Sequence, residues 1–232
     1  MKKKIALLLV MTTLVLTACG APKQDVNTDL PESSSVVEST EETPSSEEEA
    51  EPEMKAYVPG ILTDNKFESA YAGYTFTAPE GCTFMTAEEV AAENGIDADT
   101  FAAGGEALAN AYAQAPGIVE FNASTEMGNN VYMQVTQMLT YGITLEEYSQ
   151  IVLDELTSME EMNCTLVEEA KVVDFLGRQC TKALVSIEMD GLVLYQQYFL
   201  FLEPTYTGTI TVTYVEGYEA ERDALVAGFA AK

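Results

Sequence analysis

Leu192-Val193-Leu194-Tyr195-Gln196-Gln197-Tyr198-Phe199-Leu200-Phe201-Leu202 reads as a β-strand that is apolar on both faces. Successive strand side chains point to opposite sides. Leu192, Leu194, Tyr198, Leu200 and Leu202 therefore share one side, and Val193, Tyr195, Phe199 and Phe201 the other. A strand with two apolar faces must be covered on both. The expected fold class is α+β, a mainly antiparallel sheet sandwiched between helices.

The neighbouring segments supply the sheet. Asp190-Gly191 is a two-residue hairpin signal, so Gln179 to Met189 should pair with the central strand. Leu176-Gly177 turns the chain back to a strand over Thr165 to Val173. Pro204 to Thr207 turns it into Gly208 to Val215, where Ile210, Val212 and Tyr214 alternate with Thr209, Thr211 and Thr213. Gly117 to Thr125 and Asn130 to Met138 read as a hairpin, and Ile61 to Glu68 and Ala72 to Ala78 as two short strands around Ser69-Ala70.

Helices are announced by their starts. Thr86-Ala87-Glu88-Glu89 and Thr144-Leu145-Glu146-Glu147 are capping boxes. The first opens a helix that stops near Asn94-Gly95. The second opens a long amphipathic helix with Leu145, Tyr148, Val152, Leu156 and Met159 at helical spacing, running to about Met162. Asp99 to Gln114 is Ala-rich and helical, weakened at Gly104-Gly105, and Glu219 to Ala230 reads as a closing helix.

This layout, together with Tyr71-Ala72-Gly73-Tyr74-Thr75-Phe76-Thr77-Ala78-Pro79-Glu80-Gly81-Cys82, resembles the PsbP-like proteins, named for an extrinsic subunit of photosystem II. Their opening pattern runs aromatic, Gly, aromatic, and closes on Pro-x-Gly-Trp. Gly73, Tyr74, Phe76, Pro79 and Gly81 fit it, while Cys82 stands where the Trp is usual. The resemblance covers 60–232 and implies an α-β-α sandwich acting as an accessory or binding subunit. It implies no reaction.

At the other end, Lys2, Lys3 and Lys4 precede an apolar run from Ile5 to Leu16. About a dozen apolar residues are too few for a hydrocarbon core of ~30 Å but suit a signal-peptide core. Leu16-Thr17-Ala18-Cys19 resembles the lipobox of bacterial lipoproteins. That resemblance implies a diacylglyceryl thioether on Cys19 and cleavage between Ala18 and Cys19; the plainer alternative is an ordinary secretory signal with an incidental cysteine. Two acyl chains suffice for stable anchoring, where one does not. Residues 1–18 are then the signal peptide, 19–56 a lipidated, disordered acidic tether, and 57–232 the folded domain. The tether is rich in Ser, Glu, Pro and Thr and too poor in apolar residues to fold. Calcium binding by its glutamates has nothing to fix a geometry.

Composition excludes several function classes. The formal charge is −27, and the domain itself carries 27 acids against six cations. Such a surface repels phosphate backbones and lacks the basic footprint of a nucleic-acid binder. Histidine is absent, which removes the usual Ser-His-Asp and Cys-His arrangements and the commonest zinc ligand. There is no glycine-rich phosphate loop and no Cys-x-x-Cys. No cofactor, metal or catalytic residue is assigned, and the chain is expected not to be an enzyme.

The remaining candidates have plain readings. Glu88, Glu89, Asp97 and Asp99 read as helix-start acids favoured by the dipole rather than as an acid/base pair. Met127, Met133, Met138, Met159, Met162 and Met189 read as core filler rather than a copper site. Cys82, Cys164 and Cys180 are an odd set, read as buried or half-buried small hydrophobes. Gly104-Gly105 reads as a loop, not a hinge. Tyr195, Phe199 and Tyr206 raise the prospect of an exposed aromatic platform, with core packing the reading for the first two. The expected function is a membrane-anchored extracytoplasmic lipoprotein on the cell membrane, a non-catalytic binding or accessory module of the envelope held by membrane lipid through Cys19. The alternative is a ligand- or cation-binding lipoprotein serving a transporter.

Overall fold

The computed structural model describes residues 54–115, 117–159, 163–189 and 191–232. The signal segment, Cys19 and nearly all of the tether lie outside the described residues, as do Met162 and Asp190. The strands are β1 (Ile61–Thr63), β2 (Lys66–Ser69), β3 (Tyr74–Thr77), β4 (Cys82–Phe84), β5 (Ile118–Thr125), β6 (Asn130–Gln137), β7 (Cys164–Phe175), β8 (Arg178–Met189), β9 (Leu192–Glu203), β10 (Tyr206–Val215) and β11 (Phe229–Ala231). The helices are α1 (Ala87–Glu93), α2 (Ala98–Ala103), α3 (Gly105–Gln114), α4 (Leu145–Ser158) and α5 (Glu219–Ala227).

β9 lies inside a seven-stranded antiparallel sheet of order β4-β5-β6-β10-β9-β8-β7. Both its faces are covered, as its composition demands. On one, Leu194, Tyr198 and Leu200 cluster with Tyr148, Val152, Leu153 and Leu156 of α4 and with Ala183, Val185 and Ile187 of the adjacent β8. On the other, Phe199 and Phe201 join the main core. The mixed, antiparallel architecture is thus as expected.

The covering of the second face differs from the expectation of helices. It is made largely by a four-stranded antiparallel sheet, β1-β2-β3-β11. Phe67, Tyr74, Phe76 and Phe229 of this sheet pack onto Phe121 of β5, and residues of α2, α3 and α5 close the margins. Two local features account for the difference. Asp64, at φ +41, folds the segment read as a single strand over Ile61 to Glu68 into the β1–β2 hairpin. The helix expected to run to Ala230 stops at Ala227, and Phe229–Ala231 pairs with β3 instead. Gly228 makes that exit: a Cβ there would stand 2.5 Å from the Thr77 carbonyl oxygen.

α4 is set by its start. The Thr144 hydroxyl accepts from the Glu147 N–H at 3.2 Å, and the Glu147 carboxylate accepts from the Thr144 N–H at 2.9 Å. The Thr144 N–H and hydroxyl, both donating to it, hold the Glu147 carboxyl below its ordinary range. Ser149, one turn on, donates to the Thr181 hydroxyl at 2.7 Å and ties the helix to β8. Thr144→Ala is expected to lower stability by about 1 kcal/mol, which thermal unfolding reads as a fall of roughly 2–4 °C.

Candidate functional site

Acid chemistry first points to Glu120, which the sequence reading did not single out. β5 and β6 pair Val119 with Gln134 and Phe121 with Met133, so Glu120 is an extra residue in β5. Such a bulge re-aims a side chain, and here Glu120 and Phe121 both end up buried. Asn94 fixes the flank: its side-chain amide donates to the Val119 carbonyl at 2.9 Å and accepts from the Val119 N–H at 2.7 Å.

The Glu120 carboxylate accepts from Ser69 Oγ and from the Tyr74 hydroxyl, each at 2.8 Å, and a third bond comes from Tyr57. Burial pushes its carboxyl up to about 7, against the pull of these hydroxyls and of the Arg178 charge. Around it Tyr57 packs on Tyr71 and Tyr112 at 5.1 and 5.2 Å, and Tyr71 on Tyr206 at 5.2 Å. Arg178 donates to Glu203 at 3.0 Å, to the Tyr206 hydroxyl at 2.7 Å and to the Ala72 carbonyl. A general base must come within about 3 Å of the proton it moves. Glu120 is only 5% exposed, and from β5 of the large sheet it is held by Ser69 of β2 and Tyr74 of β3 in the small one. Its hydrogen bonds brace the two sheets against each other.

The candidates named from sequence resolve one by one. Glu89 and Asp97 are helix caps, their carboxyls held low by the Thr86 and Thr100 N–H groups, while Glu88 and Asp99 sit in the first turns of α1 and α2. Gly104 separates α2 from α3. Tyr206 lies in β10, not in a turn, and is buried with Phe199. Tyr195 stacks on Tyr214 at 5.5 Å, so the three aromatics make no exposed platform. Met133 is buried and Met127 exposed, and no group of metal-ligating side chains occurs among the described residues. Cys82 and Cys164 are half-buried free thiols and Cys180 a buried one; burial pushes Cys82 to about 11 and Cys180 to about 12. Cys180 stands opposite Val173. Cys19, the one site residue assigned from sequence, lies outside the described residues.

An accessible concavity lies elsewhere, between α4 and β7, the last strand of the large sheet. It is a groove of about 560 Å³, within the range of small-ligand and peptide sites. Leu153, Leu166, Ala170 and Val172 give it apolar walls, and Glu146, Asp154 and Glu169 its charge. Leu166 and Val172 are 39% and 55% exposed. No helix among the described residues is long and apolar enough to cross a membrane.

No family model matches the chain, and no curated protein matches it. Among solved structures it is similar to the solution structure of cyanobacterial PsbP (CyanoP) from Synechocystis sp. PCC 6803. The TM-score is 0.48 and the identity 11%, over 72% of this chain and 91% of that one. It is also similar to a crystal structure from Bacteroides thetaiotaomicron VPI-5482, with TM-score 0.41 and 12% identity, over 74% of this chain and 49% of that one. The first likeness is to a PsbP-like structure; both concern the layout of the fold and assign no residue a role.

Proposed function

We propose that this chain is a membrane-anchored extracytoplasmic lipoprotein whose PsbP-like domain is a non-catalytic binding or accessory module of the cell envelope. Its anchor is an acylated Cys19, read from Leu16-Thr17-Ala18-Cys19 behind a short apolar run. The acidic stretch that follows holds the domain off the membrane, since like charges extend a chain and an anionic surface repels them. The binding role is carried by one observation: the groove between α4 and β7, with apolar walls left in water. Among the described residues the one deeply buried carboxylate, Glu120, is committed to the protein's own hydroxyls, which supports a role without chemistry. The carboxylates of the groove also favour the second reading, a lipoprotein that binds a cationic ligand for a transporter.

Mass spectrometry of the mature protein tests the anchor. The amino terminus is expected to be Cys19 carrying a diacylglyceryl group, and Cys19→Ser is expected to leave the chain uncleaved or free of lipid. A mature terminus at any other residue would overturn the reading. For the domain, capture from detergent-solubilised envelopes is expected to recover a partner, lost when Leu166 and Val172 are both changed to serine.

A further inference from the structure

The geometry points to a definite occupant for the groove: an extended, lysine- or arginine-bearing segment of a partner polypeptide. This rests on the domain being a binding module and narrows its partner class. The groove's charge has one sign. Among the described residues, Glu146, Asp154 and Glu169 line it and no Lys or Arg does; α4 itself holds four acids and no cation. The cations nearby are turned away. Val172 and Thr181 line the groove and pair across β7 and β8. Their chain neighbours Lys171 and Lys182, also paired, therefore project from the opposite face of the sheet.

The apolar walls complete the match. Lysine and arginine lay their methylene stems along apolar surface while keeping the charged head in water. Leu166 and Val172 offer such a surface beside the carboxylates. An acidic occupant is repelled, including this chain's own Glu47-Glu48-Glu49. The register of β7 with β8 shifts between Leu166 and Glu168 and again between Glu168 and Lys171. Irregularities of this kind spoil an edge for continuous strand addition, so side chains in the groove carry the recognition rather than an unbroken main-chain ladder.

Fluorescence anisotropy on the full chain tests this, with a short labelled peptide alternating lysine and valine and a counterpart alternating glutamate and valine. The lysine peptide is expected to bind and to weaken as sodium chloride rises. The triple variant Glu146→Gln, Asp154→Asn, Glu169→Gln is expected to weaken it roughly tenfold. The control triple Glu88→Gln, Asp99→Asn, Glu216→Gln changes the net charge equally at exposed sites outside the groove and is expected to leave it unchanged. Equal weakening by both triples, or equal binding of the glutamate peptide, overturns the inference. So does displacement by spermidine at lower concentration than unlabelled peptide, which makes the occupant a small polycation. If no peptide binds while the groove still captures an envelope protein, the cationic segment falls and the binding module stands; if neither binds, both fall.

Discussion

Glu120→Gln should flatten part of the loss of stability that the folded domain shows as pH rises from about 5 to 7. The sign follows from proton counting. The unfolded carboxyl titrates near 4.3, whereas burial pushes the folded one up to about 7. Between those values the folded state holds a proton that the unfolded state has given up, so stability falls with rising pH. The contribution is present in full below the unfolded value and is lost as pH passes the folded one. A shift of this size is worth about 4 kcal/mol at most. Repulsion among the other acids of a chain at −27 acts in the same direction, so the measurement is a difference: urea unfolding of wild type and Glu120→Gln at several pH values from 5 to 8. The gap between the two should move by at least 1 kcal/mol. A gap that stays constant would mean that Glu120 is already ionised throughout. Glu120→Ala is harsher at every pH, because Ser69 and Tyr74 lose their acceptor inside the core. It should cost about 3–5 kcal/mol.

The parts of the fold legible beforehand share a physical trait: they are long enough for their periodicity to stand clear. β9 announced its two faces, and the β5–β6, β7–β8 and β8–β9 hairpins fell where the alternation and turn residues put them. Both capping boxes form. What escaped was short or set by tertiary contact. β1 and β11 have three residues each, too few for alternation to show, and Phe229-Ala230-Ala231 continues an Ala-bearing segment that local propensity reads as helix. Pro204 predicts a turn that includes Tyr206, but the turn closes in two residues and β10 starts at once. Glu120 was the substantive omission. A signal existed: it is the one acid between Ile118 and Ser124, flanked by Val119 and Phe121. The bulge that aims it, and Ser69 and Tyr74 some fifty residues away, are properties of the assembled sheets. The groove was equally hidden, because α4 and β7 are each ordinary amphipathic elements until packed side by side.

Phe121→Ala should be among the most damaging single changes in this domain, at about 3–5 kcal/mol. Phe121 is 2% exposed and lies next to the bulged Glu120, where the two sheets meet. Its ring stacks on Phe76 at 4.9 Å, leans on Phe67 at 5.0 Å and meets Phe84 edge-on at 5.7 Å, with Phe229 at 6.1 Å. Phe67, Phe76 and Phe229 belong to the small sheet, Phe84 and Phe121 to the large one. Truncation therefore removes the ring that joins the layers, and rigid neighbours on both sides limit collapse into the cavity. Against a total stability of about 5–15 kcal/mol for a domain, thermal unfolding should shift down by roughly 10 °C. Phe121→Leu keeps most of the volume and should cost less than half as much. Leu139→Ala, at a residue 45% exposed, should fall within ~0.5 kcal/mol of wild type. If Phe121→Ala proved as mild as Leu139→Ala, the small sheet would not be seated on the large one through this aromatic cluster. The bracing assigned to Glu120, which depends on the same seating, would fail with it.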